Sequence, residues 1–150
     1  MSLDHWLRIG WLQRNETTIA EVAQLRQVID RDIADASVEV LSDDGRFSHA
    51  YDAALQLCIL ALRAEGFKVR KGQGHHKKSI ESLPFVLGDD FKEIADHIER
   101  CSRLRVQAIY DRIGVVQSTD VEELLEIVNK LKQHVNQWLI DSHSELLPKE

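Results

Sequence analysis

The residues best suited to chemistry lie in two separate stretches. One is Arg100-Cys101-Ser102-Arg103-Leu104-Arg105-Val106-Gln107-Ala108-Ile109-Tyr110-Asp111-Arg112, with three arginines in six residues and a fourth further on. Guanidinium groups hold phosphate and carboxylate oxygens through paired N–H donors and stay protonated, so they bind anions well and serve poorly as general bases. At about 100° per residue, Arg103 and Tyr110 fall on nearly the same helix face, two turns apart. Arg105 instead aligns with Ile98, Ser102 and Ile109, close to the apolar stripe, where it needs an acidic or interface partner. A solvated, structural or dimer-packing role for these residues stands beside the ligand-binding one: Glu99 and Arg103 make an ordinary i,i+4 pair worth only tenths of a kcal/mol, and Arg100 and Arg112 fit solvated helix faces.

The second stretch is a basic loop with Lys68, Arg70, Lys71, His75, His76, Lys77 and Lys78, and it contains no acid between Glu65 and Glu81. Gly72 and Gly74 allow close approach of a ligand to the backbone. Such a loop binds a nucleotide phosphate or an RNA backbone, or it is simply a solvated surface segment. The candidate ligand- or phosphate-binding set is therefore Arg103, Arg105, Tyr110, Lys71, His75, His76, Lys77 and Lys78.

Other chemistries find less support. Seven histidines suggest a metal, and His49 and His134 on different helices could in principle face one cavity, as in some metal-dependent helical-bundle enzymes. There is no His-Glu-X-X-His or Cys-X-X-Cys pattern, so no metal ligand and no cofactor is assigned. Lys71-Gly72-Gln73-Gly74-His75 lacks the strand and spacing of a nucleotide-binding glycine loop. Trp6, Trp11 and Trp138 are too dispersed for a base-stacking platform and read as packing or interface anchors. Cys58 and Cys101 sit in helical patterns and read as reduced core thiols of a cytoplasmic protein.

The elements that must carry these residues read as helices. Only seven glycines and two prolines interrupt 150 residues, which favours long helices over many strands. The apolar spacing predicts a short helix over 3–13, a second from Ile19 fading near Ala36 behind a Thr18/Glu21 capping box, and a central helix from the Ser42–Gly45 start cluster to Gly66. A fourth is expected over 78–87, kinked or shortened by Pro84. Asp90 and Glu93 are read as the cap of a fifth, reaching about Ile113, and Thr119 and Glu122 as the cap of the last. The expectation is one all-α domain over 1–150, an antiparallel bundle of about five to six helices. The 43% hydrophobic and 29% charged content is that of an ordinary globular chain, and the formal net charge of −6 argues against a whole-molecule match to nucleic acid, leaving only local patches. The longest nearly apolar stretch, 53–62, is about half a bilayer span, and the first fifteen residues show no secretory signal, so no membrane association is expected.

Three segments resemble the HEPN superfamily, the higher eukaryote and prokaryote nucleotide-binding helical bundles, over roughly residues 43–140. They are Phe47-Ser48-His49-Ala50-Tyr51-Asp52-Ala53-Ala54, the loop Gly74-His75-His76-Lys77, and the arginine helix ending Ala108-Ile109-Tyr110-Asp111. Members with ribonuclease activity carry arginine, four residues, histidine, one residue and tyrosine. Here the arginine falls on Arg103 and the tyrosine on Tyr110, but Ala108 occupies the histidine position; some HEPN subfamilies have alanine, any residue, tyrosine and aspartate in this region. The resemblance implies a four-helix core, a homodimer paired around the arginine helix, and a nucleotide- or RNA-associated, toxin–antitoxin-like role, with a minimal nucleotidyltransferase as partner. Metal-free RNA cleavage needs a positioned acid and base, and alanine supplies neither. No catalytic residue is assigned, and a non-catalytic module is the primary expectation. The alternatives are a divergent metal-independent HEPN ribonuclease or a metal-dependent bundle enzyme.

Overall fold

The computed structural model describes residues 2–72, 74–111 and 114–149. Gln73, Arg112 and Ile113, which the sequence reading placed in the basic loop and at the end of the arginine helix, lie outside them. The chain is an all-α helical bundle with one small two-stranded ribbon. Four long helices form it: α2 (Ile19–Ala36), α3 (Asp43–Ala64), α6 (Lys92–Val106) and α7 (Ser118–Ser142). The shorter ones are α1 (Leu3–Arg8), α4 (His75–Glu81) and α5 (Leu83–Leu87).

Helix α3 is the axis. Its buried residues include Phe47, Ala50, Tyr51, Leu55, Leu57, Cys58 and Leu60, and it packs against α2, α4, α5, α6 and α7. Ser42 starts it, with Oγ accepting the Gly45 N–H at 3.0 Å. Gly66, at φ +87°, turns the chain out of it. From the opposite side, α7 lays Val121, Leu124, Val128, Leu131, Val135 and Leu139 into the core, all buried. Among the described residues no helix is long and apolar enough to cross a membrane.

Several boundaries differ from expectation. The first helix ends at Arg8, and residues Leu12–Arg14 form strand β1, which pairs antiparallel with β2 (Phe67–Val69), Leu12 opposite Val69 and Arg14 opposite Phe67. Helix periodicity over 3–13 rested on Trp6, Ile9 and Leu12; Gly10, at φ +83°, breaks it. The ribbon and α1 enclose a second apolar cluster of Trp6, Leu12, Leu62, Phe67 and Val69. The helix expected over 78–87 starts at His75 and divides at Ser82, because Pro84 lacks an amide to donate and fits only the first turn of a new helix.

The Asp90/Glu93 and Thr119/Glu122 caps are not the ones used. A 3₁₀ turn at Asp89–Phe91 leads into α6, while α7 is capped two residues earlier, the Gln117 N–H donating to Asp120 Oδ2 at 2.8 Å. The Thr18 cap forms, its hydroxyl accepting the Glu21 N–H at 3.1 Å. The Glu21 carboxylate instead accepts from Arg63 at 2.8 Å and from Asn15. Finally, α6 stops at Val106 and continues as a π-helical segment, Gln107–Asp111.

Candidate functional site

Packing of α4 against α6 brings parts of the two basic stretches together. Glu99 of α6, half-buried, is their meeting point. Its Oε1 takes Arg103 Nη1 at 3.2 Å from one turn ahead and Lys77 Nζ at 3.8 Å from α4. Both cationic side chains are otherwise exposed. One carboxylate therefore gathers two positive charges on an open face without neutralising both.

Arg105 lies deeper, and its acidic partner is Asp52 of α3, with Nη2 at 3.7 Å from Oδ1. The guanidinium carbon stands 5.4 Å from the centre of the Tyr51 ring, and Arg105 Nε is buried without a hydrogen-bond partner among the described residues. Burial raises the Asp52 pKa above the ordinary carboxylate value; Arg105 opposes this, Asp32 adds to it, and His49 and His76 oppose it more weakly. Burial also raises the Tyr51 phenol, with Ser102 and Arg105 pulling the other way. Its hydroxyl lacks a well-formed hydrogen bond although Ser102 lies beside it. Asp52 is thus the acidic partner that the position of Arg105 requires.

The remaining candidates do not all join this face. Lys78 Nζ sits 4.8 Å from the Trp11 ring centre, a cation–π contact that ties α4 to the residue preceding β1. The His75 and His76 rings are 5.6 Å apart, and the His75 pKa is lowered by burial and then by His76 and Arg63. Lys71 is exposed in the turn before α4 and makes no ion pair among the described residues. Tyr110 is 78% exposed. It belongs to the π-helical segment, whose wider i→i+5 turn breaks the α-helical register that set it over Arg103. Ala108 packs against the main core, so its methyl group faces protein, and no proton donor or acceptor stands there.

A cavity of about 320 Å³ opens at Glu99, walled by Trp6, Pro84 and Phe85, with the acids Glu81, Asp89, Asp96 and Glu99 against the one cation Lys92. With those acids it is the wrong sign for phosphate, so any anion site is the exposed Lys77–Arg103 face and not this cavity.

A different cluster, missed in the sequence, lies where α2 crosses α3. The side-chain ligand atoms of Asp32, Asp35 and His49 all lie within 4.8 Å of one another, His49 Nδ1 being 4.0 Å from Asp35 Oδ2. The available signal was spacing. Asp32 and Asp35 are three apart on α2, and His49 and Asp52 three apart on α3, so each pair shares a helix face. His134, the other half of the histidine pair considered from sequence, lies tilted against Phe91 with ring centres 4.4 Å apart. It does not join His49 in this cluster. Cys58 and Cys101 are free and buried.

No family model matches the chain, nor does any curated protein or solved structure. The class that the structure itself defines is the all-α helical bundle.

Proposed function

We propose that the chain is a HEPN-like bundle without the histidine required for RNA cleavage, acting as a non-catalytic nucleotide- or RNA-associated interaction module. In that role it is a toxin–antitoxin-like component whose partner is a minimal nucleotidyltransferase, working in the cytoplasm as a homodimer. The observation that carries the reading is the shared carboxylate: Lys77 and Arg103, from separate basic stretches, meet at Glu99 on one exposed face. One acid against two cations leaves a net positive charge for a phosphate oxygen to meet, although the molecule as a whole is acidic. Ala108, packed on the core, supports binding without cleavage.

Binding of labelled single-stranded RNA and of ATP, followed by fluorescence anisotropy and by calorimetry, tests this reading. Lys77→Ala with Arg103→Ala should weaken binding and flatten its dependence on salt, each lost phosphate contact reducing the slope by roughly 0.7 to 0.9. An unchanged affinity and slope would remove the face from consideration.

The dimer reading has its own support. Val106, Ile109 and Tyr110 are exposed at the end of the arginine helix, an apolar strip of the kind a two-fold interface covers. Light scattering should give a dimer that Ile109→Asp dissociates with helicity retained; a concentration-independent monomer would contradict it.

A further inference from the structure

We propose that Asp32, Asp35 and His49 form a binding site for one divalent transition-metal ion, Zn²⁺ being the ion this donor set favours. The inference does not depend on the phosphate-binding reading. It starts from an electrostatic problem. Asp32 is only 4% exposed, and a buried carboxylate is costly unless paired. The one cation paired with it among the described residues is its neighbour Arg31, an exposed side chain reaching Oδ1 at 3.2 Å. On its other side Asp32 faces Asp35, a second acid, and His49, with their ligand atoms inside the same 4.8 Å span. Two carboxylates, one of them buried, converge on one imidazole, an arrangement that a dication stabilises.

The geometry and donor chemistry agree with that. Zn²⁺ is held by imidazole nitrogen and carboxylate oxygen at about 2.0–2.2 Å, so ligand atoms around one ion stand roughly 3–4 Å apart. The three ligand atoms, within 4.8 Å of one another, stand close to that spacing. Imidazole beside two carboxylates suits Zn²⁺ better than Mg²⁺, which prefers an all-oxygen octahedron. Each helix holds its part rigidly, α2 through buried Ile29 and Ala36 on either side of Asp32, and α3 through Phe47, Ala50 and Tyr51 around His49.

The test is Zn²⁺ titration of the full chain after chelator dialysis, read by calorimetry and by native mass spectrometry, with circular dichroism to check folding. One ion per chain is expected. His49→Ala should lower affinity by at least the 10- to 100-fold that follows loss of even an outer-shell partner, and Asp32→Asn, which keeps the buried volume, should act in the same direction. Because His49 is partly exposed, His49→Ala decides the matter if Asp32→Asn fails to fold. The His75→Ala/His76→Ala double variant should still hold the ion, and so should Arg103→Ala, which separates this site from the phosphate-binding face. Absence of binding at millimolar Zn²⁺, affinity unchanged in His49→Ala, or binding lost only with His75 and His76 would overturn the proposal.

Discussion

The two halves of α3 are built for different tasks. From Ala53 onward nearly every side chain is apolar, and Ala53, Ala54, Leu55, Leu57, Cys58, Leu60, Ala61 and Leu62 are all buried. Apart from Arg63, whose guanidinium pairs with Glu21 of α2 at 2.8 Å, that half makes no ion pair among the described residues, and close packing fixes its neighbours. In the earlier half, Phe47, Ala50 and Tyr51 are buried in the same way, but Ser48, His49 and Asp52 are only half-buried. Two of these take charged partners from other helices: His49 lies near Asp35 of α2, and Asp52 pairs with Arg105 of α6. One helix thus supplies the core at one end and a polar seam at the other. Function resides more readily at the polar end, where neighbouring helices only partly satisfy His49 and Asp52, than at the other end, whose one ion pair among the described residues is Arg63–Glu21.

The largest expected effect lies at the apolar end. Leu60→Ala removes a fully buried side chain and should cost about 2–5 kcal/mol in denaturant unfolding. Ser48→Ala, in the polar half, should change stability by less than about 0.5 kcal/mol. Equal costs would break the comparison.

Cys58 offers a second probe of the same packed end. Burial pushes its thiol pKa up to about 12 from an ordinary 9.0. The unfolded chain therefore ionises first as pH rises. Stability is insensitive to this thiol below about pH 9 and declines between about 9 and 12. At neutral pH the thiol should resist disulfide-exchange reagents until the chain unfolds, because the thiolate is the nucleophile. Rapid labelling at Cys58 in the native chain, told apart from Cys101 by peptide mapping, would show that this end opens.

The polar half should respond more mildly. Arg105→Gln removes the charge that opposes the raised Asp52 pKa, so Asp52 should titrate at still higher pH, as followed by its carboxyl carbon resonance. The stability change should stay under about 1 kcal/mol, because both partners are partly exposed and solvent screens them. A titration unmoved by the substitution would mean that Arg105 does not act on Asp52.

The apolar framework was readable in the sequence because steps of three and four persist along α2, α3 and α7, and because Ser42 and Gly66 mark boundaries that the chain uses. The β-ribbon was not, since three-residue strands are too short for alternation to separate from a helical pattern. The arginine helix was readable up to Val106. Beyond it, the shift to a π-helical turn follows from no local residue preference and displaced the Tyr110 register. Of the candidate site, the need of Arg105 for an acid was readable from its position on the apolar stripe, whereas the acid itself was not, because Asp52 lies on a helix far away in sequence. The same holds for Glu99, whose pairing with Lys77 depends on how α4 docks. The Asp32, Asp35 and His49 cluster required knowing which faces of α2 and α3 meet.

The claim that this chain binds RNA without cutting it is tested most directly in one paired assay. Labelled single-stranded and structured RNA are incubated with the native chain and with Ala108→His, chelator present, and read first by anisotropy and then on a gel. The account predicts salt-dependent binding by the native chain with the RNA left intact, since a missing positioned acid or base removes about 10² to 10⁴ in rate. Cleavage gained only in Ala108→His would show that the rest of an ancestral site survives around Arg103. Efficient cleavage by the native chain that disappears in Arg103→Ala would contradict the account.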